Sequence, residues 1–215
     1  MVPLLNALLV IVLLINLFAL GTSRIRALVH AAAVQGVLLG MMPVIVHGGT
    51  HATAMIALVA MATVIVKGTL IPKILFKALR DANIKREIEP LIGLMPSMLL
   101  GALGTAAAIA LGSRLPLAAG HAETLIVPAA FSTMFTGFLL LTTRIKAITQ
   151  AIGYLILENG IFIFGLLLLE AVPIFVELGV LLDLFVGVFV ISIIIHHINR
   201  EFASLDTRRL SALKE

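Results

Sequence analysis

Long apolar runs repeat through this sequence and restrict what it can fold into. A helix of about 20 residues crosses the roughly 30 Å hydrocarbon core of a bilayer, and helices satisfy their own backbone hydrogen bonds there. The runs predict seven spans, at about residues 3–21, 27–46, 52–76, 91–112, 125–143, 148–169 and 174–197. We therefore predict an all-α fold, a polytopic transmembrane helical bundle of about seven helices.

The composition supports a membrane protein and excludes a soluble domain. Hydrophobic residues make up 61% of the 215 residues, charged residues make up 12%, and the mean hydropathy is +1.19. Soluble domains carry about 25% charged residues. The net charge of +4 does not indicate nucleic-acid binding, because acidic residues interleave with the basic ones in the loop at 77–91. We expect the lipid bilayer, and no nucleic acid, as a partner.

The distribution of basic residues predicts the orientation. With the N-terminus outside, one side of the membrane collects thirteen of the fifteen lysines and arginines: Arg24, Arg26, Lys73, Lys77, Arg80, Lys85, Arg86, Arg144, Lys146, Arg200, Arg208, Arg209 and Lys214. Cytoplasmic loops hold the excess of basic residues in membrane proteins. The sequence therefore predicts an outside N-terminus and a cytoplasmic C-terminus.

Two acids lie near the middle of predicted spans, where an ionised group costs about 2.5–3.5 kcal/mol on insertion scales. They are Glu158 in the sixth span and Asp183 in the seventh. If these helices are antiparallel neighbours, the two carboxylates lie at about the same depth. We interpret both as proton carriers. The alternative is that each is a permanently protonated or hydrogen-bonded packing residue.

Lys67 interrupts the third predicted span in the same way. Its ammonium group can pair with a carboxylate and change the proton affinity of that group. The alternative is a lysine whose long side chain reaches the interface, although Lys67 lies about four turns from the basic end of the span. Pro72 is predicted to disturb the helix one turn after Lys67.

Other polar residues can belong to a proton route through Glu158 and Asp183, near its two ends. Glu177 lies about one turn into the seventh span, where it can serve as a proton exit or remain a solvated interfacial acid. His30 and Gln35 fall on the inner half of the second span. They can extend a hydrogen-bonded route toward the cytoplasm, or they can be contacts between packed helices.

The sequence contains no cysteine, so it supplies neither a disulfide nor a thiolate ligand for an iron–sulfur cluster or nickel. His47 and His51 flank an outer turn, and His196 and His197 are neighbours near the end of the last span. Neither pair provides a convincing framework for a metal site. We expect no cofactor and no redox active site in this chain.

The last two predicted spans resemble NuoK-like subunits of respiratory complex I. The segment DLFVG, beginning at Asp183, is similar to the acid-x-x-x-glycine pattern of the third helix in that family, and GYLILENG at 153–160 resembles the preceding helix. Where that family has its acid this chain has Leu155, and Glu158 follows about one turn later on roughly the same face. The resemblance divides the chain into 1–143 with five helices, a NuoK-like part at 144–198, and a cytoplasmic tail at 199–215.

A second resemblance covers the whole chain. Its length, its helix layout and the segments VKGTLIPKIL, YLILENG, VELGVLLD and LSALKE resemble hydrogenase-4 component E (HyfE-type) subunits. This resemblance implies a membrane-arm subunit of a group 4 nickel–iron hydrogenase or formate-hydrogenlyase-like complex in the prokaryotic cell inner membrane. The implied partners are antiporter-like and other membrane-arm subunits, with peripheral redox subunits that hold the nickel–iron and iron–sulfur centres.

Together these features favour one hypothesis and leave two alternatives open. In the favoured hypothesis, redox chemistry in peripheral partners drives protons along a hydrated route lined by Glu158, Asp183 and Lys67. Alternatively, the buried charges hold the chain in the complex as a scaffold, and another subunit moves every proton. The third function, an independent small-solute or cation transporter, has no support from an inverted repeat or from matching broken helices.

Overall fold

Helices make up nearly all of the structure, a computed structural model that describes residues 2–47, 53–81, 88–115 and 124–167. The helices are α1 (Val2–Gly21), α2 (Ile25–His47), α3 (Thr53–Ile65), α4 (Ile71–Asp81), α5 (Leu94–Gly112), α6 (Ile126–Thr143) and α7 (Ala147–Gly165). A π-helical turn, Val66–Leu70, joins α3 to α4 without a break. The described residues form no strand beyond an isolated bridge between Pro90 and Arg144. The all-α prediction is confirmed.

Five of the described helices, namely α1, α2, α5, α6 and α7, are long and apolar enough to cross a membrane. They match predicted spans with boundaries that differ by a few residues, and the third predicted span corresponds to α3, the π turn and α4. The chain is therefore a membrane protein. The seventh span at 174–197 lies outside the described residues, so the count of seven helices, the orientation of the termini and the division at residue 143 remain predictions.

Glycines bring helices α6 and α7 into close contact. A Cβ atom added to Gly153 would lie 2.7 Å from the Leu141 backbone nitrogen, and one added to Gly160 would lie 2.5 Å from the Met134 nitrogen. On α5, Gly101 faces Leu20 of α1. Small residues are common where helices pack closely in lipid, and Gly101 allows α5 to approach α1 in this way.

Two apolar clusters fill the bundle, one toward each end. The first includes Leu20, Ile25, Leu75, Ile148 and Ile152, and all of these are at most 5% exposed. The second surrounds the other ends of the helices and includes Leu9, Leu39, Met42, Ile126 and Ile163. Between the clusters lies a layer of buried polar side chains, which is described below as the candidate site.

Three connections meet at the end of the bundle near the first cluster, here called the Arg144 end. The Ile88 nitrogen donates to the Ser23 carbonyl at 2.8 Å, in the turn between α1 and α2. The Leu91 nitrogen donates to the Thr143 carbonyl at 2.8 Å, and the Ile145 nitrogen donates to the Glu89 carbonyl at 3.1 Å. Residues 88–91 thus connect two helix turns, and all three connections belong to the side predicted to be cytoplasmic.

Arg144, one of the basic residues predicted for the cytoplasmic side, is fully buried at this end. Its Nη2 donates to the Leu20 carbonyl at 3.0 Å, and its Nη1 donates to the Ser97 hydroxyl at 3.2 Å. The Leu20 carbonyl lies in the last turn of α1, at the negative end of the helix dipole. Burial lowers the pKa of the Arg144 guanidinium, but arginine stays charged in proteins. Arg144 therefore joins α1 and α5 to the end of α6.

Replacing Arg144 by methionine should destabilise the bundle, because it removes the hydrogen bonds that the charged guanidinium donates to Leu20 and Ser97 of the neighbouring helices. At about 1.5–3 kcal/mol per bond of this kind, we expect the free energy of unfolding to fall by about 3 kcal/mol. Thermal unfolding in detergent measures this loss. Arg114→Met makes the same change at an exposed arginine and should cost less than about 0.5 kcal/mol. Equal losses in the two variants would contradict the structural role of Arg144.

Candidate functional site

A buried ion pair joins the π turn to α7. The Lys67 Nζ atom lies 2.9 Å from Glu158 Oε1, and it also donates to Asn159 Oδ1 at 2.9 Å. Lys67 is 5% exposed and Glu158 is 3% exposed. Of the three ionisable residues that the sequence singled out at depth, the structure describes Lys67 and Glu158 and brings them together.

The π turn positions Lys67, and Pro72 explains why the turn forms. Proline has no backbone N–H, and its ring clashes with the carbonyl four residues earlier in a regular helix. In this structure the Ile71 nitrogen donates to the Val66 carbonyl, five residues back, which widens the helix just before Pro72. The predicted disturbance of the helix is confirmed. It extends further than predicted, because Lys67 itself lies in the widened turn, a type of distortion frequent at functional sites.

Two glycines on α2 allow the π turn and the end of α3 to lie close to the α2 backbone. A Cβ atom added to Gly36 would lie 2.6 Å from the Lys67 Cβ, and one added to Gly40 would lie 2.7 Å from the Val64 Cγ2. The spacing of Gly36 and Gly40 is the glycine-x-x-x-glycine pattern of close helix contacts in membranes. The Lys67 side chain therefore begins against the backbone of α2 and ends at α7.

Three amide side chains and a hydroxyl continue from the ion pair across the bundle. The Asn159 amide nitrogen donates to Gln35 Oε1 at 3.1 Å, and the Gln35 nitrogen donates to Asn16 Oδ1 at 2.8 Å. The Asn16 nitrogen then donates to Thr133 Oγ1 at 2.8 Å. These four residues are at most 2% exposed. We call this series, from Asn159 to Thr133, the amide ladder; it connects α7, α2, α1 and α6.

The ladder has a direction that begins at the lysine. The Lys67 ammonium group can only donate, so the Asn159 oxygen faces it and the Asn159 nitrogen faces away. In Gln35 and Asn16 as well, the amide oxygen accepts from the preceding residue of the ladder and the amide nitrogen donates to the next one. Amides and hydroxyls do not ionise near neutral pH, so no member of the ladder carries a charge, whereas Lys67 and Glu158 beside it are ionisable. The ladder fixes the position of the pair and responds to the charge on Lys67 through polarisation of its hydrogen bonds.

An aromatic ring covers the pair on the side away from the Arg144 end. The Lys67 Nζ atom lies 5.6 Å from the centre of the Phe162 ring, within the range of a cation–π contact. Phe162 follows Glu158 by one turn of α7 and packs against the second apolar cluster. The pair therefore lies at the boundary between the polar layer and a well-packed apolar region.

Of the other polar residues predicted for the site, the structure describes Gln35 and His30. Gln35 is part of the ladder, but His30 is exposed, bonds through its Nδ1 to the Arg26 carbonyl at 2.8 Å and packs against Phe76. The structure does not bring His30 to the ion pair. Asp183 and Glu177 lie outside the described residues, and their places in a proton route remain predictions.

Some members of the site were not anticipated from the sequence. Asn16 and Thr133 had no assigned role, and Asn159 was considered only as part of a sequence motif. A single amide in an otherwise apolar span, such as Asn16 in the first, is a usable signal because such groups bond across helices. The described residues include no group of three or more histidines and acids that could hold a metal ion.

A double-mutant cycle should show that the two charges depend on each other. Lys67→Met leaves a buried carboxylate and Glu158→Leu leaves a buried ammonium, so each should lower the free energy of unfolding by about 3 kcal/mol. The double variant leaves no charge, and its loss should be smaller than the sum by at least about 1 kcal/mol. Thermal unfolding of all four proteins in one detergent measures the coupling. Strictly additive losses would contradict it.

Comparison with known proteins places the chain in a family. An uncharacterized protein of Mycobacterium tuberculosis is 32% identical over 192 residues, which are 89% of this chain and 87% of that protein. Hydrogenase-4 component E of Escherichia coli K12 and that of Shigella flexneri are each 30% identical over 152 residues, 70% of this chain and 69% of theirs. No family model and no solved structure matches the chain. By identity and coverage, the chain belongs to the hydrogenase-4 component E family.

Proposed function

We propose that this chain is a membrane-arm subunit of a complex I-related, group 4 nickel–iron hydrogenase or formate-hydrogenlyase-like complex, and that it contributes to proton translocation. Membership of the hydrogenase-4 component E family supports the first part. The observation that carries the second part is the 2.9 Å ion pair between Lys67 and Glu158, buried among helices that are long enough to span a membrane.

The pair is suited to respond to charge changes elsewhere in a complex. Glu158 is the proposed proton carrier, and Lys67 is the charge that sets its proton affinity. Addition or removal of one proton changes the net charge of the pair, and charge interactions inside a protein are stronger than in water because the local dielectric constant is lower. A redox step in a neighbouring subunit can therefore favour uptake or release of a proton at Glu158.

The rest of the proposed route involves Asp183 and Glu177, which lie outside the described residues, and His30, which the structure does not bring to the pair. Asp183 is the proposed second carrier, Glu177 the proposed exit, and His30 a proposed residue on the cytoplasmic side. The NuoK-like character of residues 144–198 belongs to the same proposal. It would place Glu158 and Asp183 on neighbouring helices of one functional unit.

The proposed partners supply the redox chemistry. Nickel–iron and iron–sulfur centres are assigned to peripheral redox subunits, since this chain has no cysteine to hold them. Antiporter-like and other membrane-arm subunits are the proposed neighbours in the bilayer. The proposed location is the prokaryotic cell inner membrane, with the Arg144 end toward the cytoplasm because the basic loops gather there.

A scaffold function is the second candidate, and the amide ladder favours it. The ladder and the ion pair tie four helices and the π turn together through short hydrogen bonds. Buried polar contacts of this kind can specify one arrangement of helices even where they add little stability. In this function the charges fix how the chain fits its neighbours, and protons move elsewhere.

Neutral substitutions of the two acids should separate these functions. Glu158→Gln keeps an oxygen that accepts from Lys67, and Asp183→Asn is the matching change in the seventh predicted span. We expect the complex to remain assembled on native gels while redox-coupled proton uptake into inverted membrane vesicles is abolished. Glu89→Gln makes the same change at a half-exposed acid that pairs with Lys146, and it should leave proton uptake unchanged.

Two results would contradict the proposed proton route. Undiminished proton uptake with both substitutions in place would show that neither acid carries protons. Loss of the assembled complex after Glu158→Gln alone would instead support the scaffold function. Family membership is unaffected by either result, because it rests on sequence identity and coverage.

A further inference from the structure

Helix α4 carries a row of cations on the side opposite the core. Lys73, Lys77 and Arg80 follow one another at intervals of four and three residues, which is the spacing of one helix face. All three are exposed, whereas Ile71 and Leu75 are buried in the first apolar cluster. The exposed positions of residues 71–80 are therefore all basic.

Helix α2 lies beside α4 and adds a fourth cation. The centres of the His30 and Phe76 rings lie 5.0 Å apart, where the two helices meet. The helices run in opposite directions, because α2 approaches the π turn and α4 leaves it. Arg26 lies one turn before His30 and Arg80 one turn after Phe76, so the two arginines lie at about the same level. We call the line between these two helices the α2–α4 seam.

These cations lie near the depth at which the spanning helices end. Lys67 and Glu158 are in contact, and α7 begins eleven residues before Glu158. Ala78 follows Lys67 by eleven residues, so it lies at about the depth where α7 begins. Lys77 is next to Ala78, and Lys73 can reach the same depth along its aliphatic stem. In a bilayer, this is the depth of the lipid headgroups.

Deeper in the bundle, the same exposed faces become apolar. On α2, Val34 follows His30 by one turn and is 51% exposed. On the other side of the seam, Leu70 precedes Lys73 and is 51% exposed, and Ile65 is 53% exposed. Each face therefore has a cationic end and an apolar length. A phospholipid with an anionic headgroup has the same order of groups, whereas an acidic protein surface would match the cations alone.

The described part of the chain does not balance the charge at the seam. Arg26, Lys73 and Lys77 form no ion pair with any described residue. Glu89, an acid at the same end of the bundle, pairs with Lys146 instead. An anion supplied from outside the chain would therefore reduce the repulsion among these cations.

We propose that the α2–α4 seam binds an anionic phospholipid. Arg26, Lys73 and Lys77 hold the phosphate through charge-assisted hydrogen bonds, and the acyl chains lie along Val34 and Leu70. Basic sites between spanning helices on the cytoplasmic side are suited to anionic headgroups. The proposal requires that the chain lies in a bilayer, and it does not rest on the proposed proton route.

Tryptophan fluorescence can report the lipids at the seam, because the chain has no tryptophan of its own. Leu70→Trp places the reporter at the proposed site, eight residues from Ala78. Leu103→Trp places it at a position of α5 that is 66% exposed, nine residues from the start of that helix and so at about the same depth.

Each full-length variant is reconstituted into vesicles of phosphatidylglycerol and phosphatidylcholine with identical acyl chains. One of the two lipids at a time carries bromine on those chains, and bromine quenches tryptophan fluorescence only at short range. The two quenching curves give the local preference for the anionic lipid. We expect a preference of at least about fivefold at Leu70→Trp, the factor for about 1 kcal/mol from one basic contact, and none at Leu103→Trp.

Charge-matched variants test which cations cause the preference. In the Leu70→Trp background, Arg26→Gln with Lys77→Gln should reduce the preference to less than about twofold. Arg24→Gln with Arg114→Gln removes the same net charge at exposed arginines that precede α2 and follow α5, and should leave the preference unchanged. All four positions are exposed, so the unfolding temperature without added lipid should be the same in both variants.

Three results would overturn the proposal. Equal preferences at Leu70→Trp and Leu103→Trp would show that the seam does not select the lipid, and would assign its cations to an acidic protein surface. Equal losses in the two charge variants would show that the preference follows net charge. Loss of the preference when inorganic phosphate replaces chloride at equal ionic strength would indicate a site for free phosphate. Because the assay needs no redox partner, the lipid site can hold while the proposed proton route fails, and the reverse.

Discussion

The 2.9 Å contact between Lys67 and Glu158 is the interaction around which the described bundle is organised. Each charge alone would be costly between two apolar clusters, and each is tolerated because the other lies beside it. Asn159, Gln35, Asn16 and Thr133 then satisfy one another in series. Removing either charge would leave the other without its counter-charge and would change the orientation of the amides that follow.

Close helix packing and a widened helical turn bring Lys67 and Glu158 together. Gly36 and Gly40 bring α2 against the π turn, and Gly153 and Gly160 bring α7 against α6. The π turn before Pro72 widens the helix where Lys67 must reach sideways. At the Arg144 end, a buried arginine joins α1 and α5 to the end of α6 through its hydrogen bonds. Close packing by glycines thus sets the distances on which the electrostatics depend.

The sequence alone predicts the helical class and the two charges at depth, because long apolar runs and their rare ionisable residues are local signals. It does not predict that Lys67 faces Glu158, since 91 residues separate them and helix adjacency is a tertiary property. The amide ladder was missed for the same reason, as its members lie on four helices. Arg144 lies between two predicted spans, and its burial depends on how α1 and α5 pack against the end of α6.

If Glu158 is the proton carrier that we propose, its side chain changes protonation state while the complex works. Infrared difference spectroscopy of the assembled complex, between its reduced and oxidised states, observes that change directly. We predict a carboxylic acid carbonyl band that differs between the two states, shifts in heavy water and is missing in the Glu158→Gln variant. A Glu158 side chain that keeps one carboxylate signature in both states would contradict it.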